Sequence, residues 1–312
     1  MSAPDDFDHP GSGTPSALPG GFRAAVTSVL TGLGYAVVGW EPDGVNVIAP
    51  DKDGEQYIGL SNLYRRAKNA EKAEWPHLIR EFLGHITGAL AAPKLPDDLT
   101  TVAAQLRPRL GKPFAREGKA HPWGIPLPGT GLEINLVIDF PNTMAYVTDE
   151  MLRKTGKAGE DLLDLALANL KADTPEDFFE RVSEELDIYV GHSGDGYDAV
   201  RALLIDDLLP ESPAGFWVAI PSREELAVWP VSFEALSKIH VIKMFAQDNF
   251  RDHAYPVTDD VFWLWQGMWY PFGIKIDEKN VTVSPPDEFL AALKDLEEGQ
   301  EEGDDGDGQP AA

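Results

Sequence analysis

Apolar positions in residues 21–90 follow a helical period at both ends and a strand period in the middle. A stripe with helical spacing opens the region, formed by Phe22, Val26, Val29 and Leu30. The runs YAVVGW, VNVIAP and EQYIGL follow, separated by the turn sequences EPDG and DKDG, which predicts three antiparallel strands. A second stripe repeats every fourth residue, at Leu78, Phe82 and Ile86. Residues 21–90 are therefore predicted to form a small α-β-β-β-α unit.

A linker containing prolines, predicted for residues 91–98, separates that unit from a larger region, residues 99–298. Strands are predicted at EINLVIDF, TMAYVTD, LDIYVGH, GFWVAIP, LAVWP, VFWLWQGMWYPFGIKI and VTVSP. Helices are predicted at LLDLALANL, TPEDFFERVSEEL, YDAVRALLIDDLL, residues 232–249 and residues 287–296. The prolines and glycines of residues 112–132 predict no regular structure. Because no βαβ crossover pattern repeats, we expect an α+β fold with mixed or antiparallel sheets flanked by helices.

The run between residues 261 and 276 is rich in aromatic side chains. In one continuous strand, one face would carry Trp263, Trp265 and Trp269. The other face would carry Phe262, Tyr270 and Phe272, unless Gly267 breaks the register. Rings left at the surface would form a contact surface for a peptide or protein, and the candidate residues are Trp263, Trp265, Trp269 and Tyr270. Core packing of these rings is the alternative.

Charge is distributed unevenly along the chain, whose formal net charge is −26. The first twenty residues carry three acids and no base, and eight acids without a base follow Lys294, which leaves −15 on residues 21–294. The composition of residues 1–20 and 299–312 predicts disordered tails. An acidic body repels phosphate backbones, so we expect no nucleic-acid partner and favour a basic protein or peptide partner. Acidity that serves solubility alone is the other interpretation.

The sequence contains no cysteine, which excludes disulfides, thiolate metal sites and cysteine nucleophiles. No apolar run approaches the roughly 20 residues that a membrane span needs, so no membrane partner is predicted. The first residues carry acids where a signal peptide has a basic start. We therefore expect a cytoplasmic protein.

The densest polar cluster is GHSGDGYDAVR, residues 191–201, between a predicted strand and a predicted helix. Its glycines could cradle a phosphate, but Asp195 and Asp198 would repel one, and helix capping in a tight turn explains the same residues. His192, Asp195 and Asp198 have the H-x-x-D-x-x-D spacing of possible metal ligands, yet such spacings are common by chance and we predict no metal. Arg201 lies three residues after Asp198, the spacing of an ion pair on a helix face.

His253, in RDHAYPVTDD, is a further candidate for acid–base chemistry, although no G-x-S-x-G nucleophile motif accompanies it. A solvated loop histidine is the alternative. The candidate polar site consists of His192, Asp195, Asp198, Arg201 and His253. No residue of this set is assigned a catalytic role, and no cofactor is predicted.

Several stretches resemble a known family. They are IGLSNLYRRAK, LLDLALANL, GDGYDAVRALLIDDLLP, WVAIPSREELAVWP and PVTD, in this order within residues 22–272. On these stretches the chain resembles the YtpQ-like bacterial family of unknown function, and the resemblance brings no catalytic residues to carry over. The order of elements in residues 21–90 is also similar to that of small secretion-chaperone and peptide-binding folds.

Two classes of function follow from these patterns. The first is a non-enzymatic binding or adaptor protein that engages a protein or peptide partner, supported by the acidic body and the aromatic strands. The alternative is a hydrolase-type enzyme with a polar site near Asp195, Asp198, Arg201 and His253. A deep pocket around these four side chains would favour the enzyme, whereas an exposed groove lined by Trp or Tyr would favour binding.

Overall fold

The computed structural model describes residues 18–42, 44–50, 56–90, 96, 98–114, 121–140, 143–183, 187–277 and 280–304. The chain divides into two compact units, residues 1–91 and residues 92–312. Most of the two predicted tails, and most of the predicted linker, lie outside the described residues. Of the tail residues that are described, Leu18 is buried in the core of the first unit, and the last helix extends to Asp304.

The first unit packs helices on one face of a three-stranded antiparallel sheet. Its elements are α1 (Gly20–Gly32), β1 (Ala36–Trp40), β2 (Gly44–Ile48), β3 (Gln56–Gly59), α2 (Ser61–Ala67) and α3 (Trp75–Leu90). The sheet order is β1-β2-β3. The predicted stripe of α1 is buried, together with Val45 and Val47 of β2. The helical period of α1 therefore identified its buried face. In α3 the fully buried side chains are Ile79 and Leu83, whereas the predicted Leu78 and Phe82 are only partly buried, and the side chain of Ile86 lies outside the described residues.

The second unit opens with a 3₁₀ helix and continues with a mixture of strands and helices. Its first half contains the 3₁₀ helix Leu99–Gln105, β4 (Leu106–Gly111), β5 (Gly124–Leu127), β6 (Leu132–Phe140), β7 (Thr143–Tyr146), α4 (Asp149–Thr155), α5 (Gly159–Asp173), β8 (Phe179–Ser183) and β9 (Ile188–Gly191). Its second half contains the 3₁₀ helix Ala199–Leu204, α6 (Ile205–Leu208), β10 (Phe216–Ser222), β11 (Glu225–Pro230), α7 (Phe233–Ser237), α8 (His240–Asp252), β12 (Val261–Trp265), β13 (Met268–Ile276), β14 (Val281–Ser284) and α9 (Asp287–Asp304).

A seven-stranded sheet in the order β14-β13-β12-β10-β11-β9-β8 forms the centre of the second unit, and β4-β6-β5, with β7 beside β6, forms another sheet. Alternate side chains of β10 enter two different cores, because successive residues of a strand point to opposite faces. Phe216 and Val218 join the core that contains β4, β6 and α5, whereas Trp217 joins the core that contains α8 and α9. All the strand pairings in the described chain are antiparallel, which confirms the predicted α+β class.

Four local predictions for the second unit were wrong. The single helix expected over residues 232–249 is divided into α7, which ends at Ser237, and α8, which begins at His240. The helix expected at TPEDFFERVSEEL is the strand β8, which pairs with β9, so strand pairing outweighs the helix-start signal at Thr174. The helix expected at YDAVRALLIDDLL is a 3₁₀ helix followed by the single turn of α6. Within residues 112–132, expected to lack regular structure, Gly124–Leu127 forms β5 because β6 supplies its hydrogen-bonding partner.

The aromatic run forms a hairpin in place of one continuous strand, which corrects the predicted faces. Gln266 and Gly267 both have positive φ, at 49° and 71°, and together form the turn between β12 and β13. The turn pairs Trp263 with Tyr270. Trp263, Trp265 and Tyr270 consequently pack together on one side of the sheet, and Trp269 packs against the opposite core.

Among the described residues, no helix combines the length and the apolar character needed to cross a bilayer.

Candidate functional site

The polar cluster of residues 191–201 forms a tight loop between β9 and the 3₁₀ helix Ala199–Leu204. Gly194 and Gly196 adopt φ of 76° and 79°, a left-handed conformation that favours glycine. Asp198 does not cap the helix, since its side chain forms no cap hydrogen bond there. Instead, its carboxylate accepts hydrogen bonds from the backbone N–H groups of Ser193, at 2.9 Å, and Gly194, at 3.2 Å. Asp198 therefore holds the loop closed from inside.

Arg201 connects this loop to its surroundings. Its guanidinium contacts both carboxylate oxygens of Asp195, at 2.9 and 2.7 Å, and Oδ1 of Asp198 at 3.1 Å, so the ion pair predicted from the i,i+3 spacing is present. Its Nε donates to Oγ1 of Thr174 at 2.9 Å, and the ring of Phe178 lies 4.9 Å from its central carbon. Arg201 and Asp198 have no exposed side-chain surface, while Asp195 is 40% exposed.

The electrostatics of Asp195 reflect its position at the rim of this network. Burial alone raises the pKa of Asp195, but hydrogen bonds from Arg201 and from the backbone N–H of Tyr197 outweigh burial, and the pKa lies below its usual value. Asp195 is therefore ionised at neutral pH. A catalytic carboxylate must reach its substrate, and the complete burial of Asp198 prevents that contact. The network has the contacts of a structural ion-pair cluster.

The two histidines of the predicted site lie near a carboxylate that the sequence interpretation missed. His192 is exposed, and its Nδ1 lies 2.9 Å from the carbonyl oxygen of Glu224 and 3.7 Å from Oδ2 of Asp198. Nδ1 of His253 lies 3.4 Å from Oε1 of Glu225. Both imidazoles act to lower the pKa of Glu225. The structure thus joins His192 to the loop network and places His253 beside Glu225.

Glu225 occupies a partly buried position at the turn between β10 and β11. Burial raises the pKa of Glu225, although His253 and a hydrogen bond from Ser222 at 3.3 Å act in the opposite direction. Ser222 and Glu225 are paired across the two-residue turn. A hairpin prediction for GFWVAIPSREELAVWP would have paired these two residues, whereas the contact with His253 depends on tertiary structure.

The raised pKa of Glu225 predicts a specific pH dependence of stability. A carboxyl group with a raised pKa in the folded state stabilises the fold most below its unfolded pKa, near 4.3, and this contribution is lost as pH rises through the folded pKa. The stability of the wild type relative to Glu225→Gln should therefore increase as pH falls from 7 towards 4.5. Urea unfolding of both proteins across this range measures the difference. A difference that is constant, or that changes in favour of the variant at low pH, would contradict the assignment.

The same histidines and carboxylates do not form a metal site. In the part of the chain that the structure describes, no group of three or more histidines and carboxylates has the geometry to hold a metal ion. The two carboxylates of the H-x-x-D-x-x-D spacing both accept hydrogen bonds from Nη1 of Arg201, so a cationic side chain lies where a metal ion would have to bind.

The aromatic candidates differ in how far they reach the surface. Trp263 is fully buried and its Nε1 donates to the carbonyl oxygen of Ala214 at 2.8 Å. Trp265, Trp269 and Tyr270 are partly buried. Trp265 stacks on Trp263 with ring centroids 5.1 Å apart, and its Nε1 donates to the carbonyl oxygen of Pro213 at 3.2 Å. The indole of Trp265 is therefore held in one orientation.

A groove of about 390 Å³ lies beside Trp265, and we call it the Trp265 groove. Its lining combines Leu209, Pro213, Phe216, Leu264 and Trp265 with the carboxylates of Asp206 and Glu211. Gly215, at φ 75°, lets the backbone approach: a Cβ there would lie 2.2 Å from the carbonyl oxygen of Leu264. The lining contains two acids and no base. Apolar and acidic residues thus border one cavity.

No family model, curated protein or solved structure matches this chain. The resemblance to the YtpQ-like family stays a prediction.

Proposed function

We propose that the protein is a non-enzymatic binding or adaptor protein whose Trp265 groove holds a basic, partly apolar segment of a protein partner. The observation that carries the proposal is the presence, in one groove, of a fixed indole and two carboxylates. Asp206 and Glu211 form no ion pair with any residue that the structure describes. Both carboxylates are exposed, so a cationic side chain of a partner would reach them.

The side chains that line the Trp265 groove indicate which residues the partner segment should contain. Leu209 and Pro213 offer apolar contact area next to Trp265, and tryptophan is the side chain most often found at energetic hot spots of interfaces. The net charge of −26 speeds the approach of a basic partner and repels nucleic acid. The proposal includes a cytoplasmic location for this encounter.

A fluorescence anisotropy titration with a labelled nine-residue peptide of alternating lysine and leucine tests the proposal. The double variant Asp206→Asn with Glu211→Gln should weaken binding at least about tenfold, because it removes both carboxylates of the groove. Trp265→Ala should weaken it to a similar extent through the loss of apolar contact. The association rate should fall with added salt, since screening limits these charges to about 8 Å at physiological ionic strength.

Two controls make the result specific. Asp164→Asn with Glu176→Gln removes the same number of exposed charges outside the groove and should bind the peptide as the wild type does. A peptide in which glutamate replaces lysine should not bind. Equal affinity of the groove variant and the charge-matched variant would refute the Trp265 groove as the binding site.

A hydrolase-type enzyme is the second candidate function, and Glu225 is the observation that favours it. Carboxyl groups with raised pKa beside histidines recur at acid–base sites. Ser222, which contacts Glu225, is completely buried, so an activated water would have to be the nucleophile. Hydrolysis of p-nitrophenyl acetate or p-nitrophenyl phosphate that Glu225→Gln abolishes would support the enzyme. Turnover that is equal in the two proteins would exclude Glu225 as the base.

A further inference from the structure

A second pocket in residues 92–312 is lined by basic side chains, in contrast to the rest of this acidic chain. It measures about 320 Å³ and is distinct from the Trp265 groove. Three cationic residues line it: Arg109 in β4, Lys112 after β4, and Arg223 in the turn between β10 and β11. No acidic residue belongs to its lining. The sequence has 52 acids and 26 bases, so a pocket lined by three bases and no acid differs from the average charge of the chain.

The three cations lie against aromatic rings and not against carboxylates. The guanidinium of Arg109 lies 5.9 Å from the ring centroid of Tyr197, and that of Arg223 lies 5.4 Å from the ring centroid of Tyr255. The ammonium of Lys112 lies 5.8 Å from the ring centroid of Phe250. Within the described part of the chain, none of the three forms an ion pair. Each cation therefore lies against an aromatic ring, with no carboxylate of the described residues at ion-pair distance.

Arg109 is the one of the three cations whose hydrogen bonding is incomplete at a buried atom of the described chain. Its Nε is buried and has no hydrogen-bond partner among the described residues, and its Nη1 donates to the thioether of Met144 at 2.8 Å. Burial, followed by the positive charge of Arg223, lowers the pKa of Arg109. Asp139 acts on Arg109 at longer range, and burial raises the pKa of that carboxyl group. An unpaired guanidinium in such a position costs free energy that an anion would offset.

The other residues that line the pocket include aromatic rings and prolines. Phe114 and Tyr146 meet edge to face with centroids 4.9 Å apart, and Pro113 and Pro256 also line the pocket. The side-chain amide of Asn135 is already used by the carbonyl oxygen of Trp123 and by Glu133. The three cations and the hydroxyl of Tyr146 are side-chain donors of the lining, and they lie next to aromatic and proline rings.

We propose that this pocket binds a small organic phosphate, with Arg109 and Arg223 contacting the phosphate oxygens and Lys112 adding the third positive charge. Arginine forks fit phosphate oxygens in pairs, which favours this group over a point-charge anion such as chloride. Three positive charges balance a phosphate dianion better than they balance a singly charged carboxylate. The wall formed by Phe114 and Tyr146 accepts a planar or apolar substituent on the phosphate.

Isothermal titration of the full chain with phenyl phosphate tests the assignment, with inorganic phosphate and benzoate as comparison ligands. Phenyl phosphate should bind most tightly, inorganic phosphate more weakly because it lacks the ring, and benzoate more weakly because it carries one charge. Arg223→Gln should raise the Kd for phenyl phosphate at least about tenfold, and Lys112→Gln should raise it in the same direction. Both positions lie at the pocket rim, so a variant of one tests the site if the other fails to fold.

Arg251→Gln is the matched control, because Arg251 is exposed and contacts Asp248 and Asp252 at the surface. It should leave the Kd for phenyl phosphate unchanged. The absence of saturable binding of phenyl phosphate, or equal affinities in the Arg223→Gln and Arg251→Gln proteins, would overturn the proposal. Tighter binding of benzoate than of phenyl phosphate would overturn the choice of phosphate.

Discussion

Arg201→Ala is expected to lower the free energy of unfolding of the second unit by about 3–5 kcal/mol, because it leaves Asp198 as a buried carboxylate without its cation. Asp198 has no exposed surface, and Arg201 has none either. The variant also removes the contacts of Arg201 with Thr174 and Phe178, which join the loop to the segment before β8. Urea unfolding followed by circular dichroism measures the loss.

Arg251→Ala provides the comparison, since Arg251 also contacts two carboxylates but is exposed. Exposed ion pairs contribute about 0–1 kcal/mol, so this variant should be close to the wild type. The double variant Asp198→Ala with Arg201→Ala should lose less stability than the two single variants together, by about 0.5–3 kcal/mol. Strict additivity, or a cost of Arg201→Ala equal to that of Arg251→Ala, would show that the buried pair is not coupled.

Trp217→Ala is expected to destabilise the second unit by about 3–5 kcal/mol through the cavity that it leaves. Trp217 is fully buried, and its ring lies within 6.0 Å, between centroids, of Trp229, Phe272 and Phe289. Phe289 belongs to α9, so the variant should also release part of that helix from the sheet. Denaturant unfolding measures the first effect, and hydrogen exchange of α9 amides measures the second.

Phenylalanine variants separate ring volume from hydrogen bonding in this core. The indole N–H of Trp217 is buried without a hydrogen-bond partner among the described residues, whereas that of Trp263 donates to Ala214. Trp217→Phe should consequently cost less than Trp263→Phe, by about 1 kcal/mol, because only the latter breaks a hydrogen bond. A cost of Trp217→Phe as large as that of Trp217→Ala would argue against ring packing as the origin of the effect.

Local patterns predicted those parts of the molecule whose contacts are close in sequence. The stripe of α1 was readable because its apolar residues lie on consecutive turns, and the ion pair between Asp198 and Arg201 was readable from a spacing of three residues. The strand β8 was not readable as a strand. Helix-capping residues precede it, beginning at Thr174, and only pairing with β9 determines its conformation.

The candidate sites were predictable only in part, for the same physical reason. His192, Asp195, Asp198 and Arg201 come together because one tight loop contains them. The contact of Glu225 with His253 and the position of Arg109 near Arg223 join residues on separate strands and loops. Sequence spacing carries no information about such pairs.

The sequence by itself determined the α+β class, the acidity, the absence of thiol chemistry and the apolar stripes of the two units, because these properties depend on composition and local period. Tertiary structure alone decided which tryptophan faces the groove and which basic side chains share a pocket. The turn at Gln266 and Gly267 reverses the strand and so assigns each ring to a face. β4 packs against the second 3₁₀ helix, and Arg223 of the β10–β11 turn lines the same pocket as Arg109. The burial and charge around Arg109 therefore depend on residues distant in sequence.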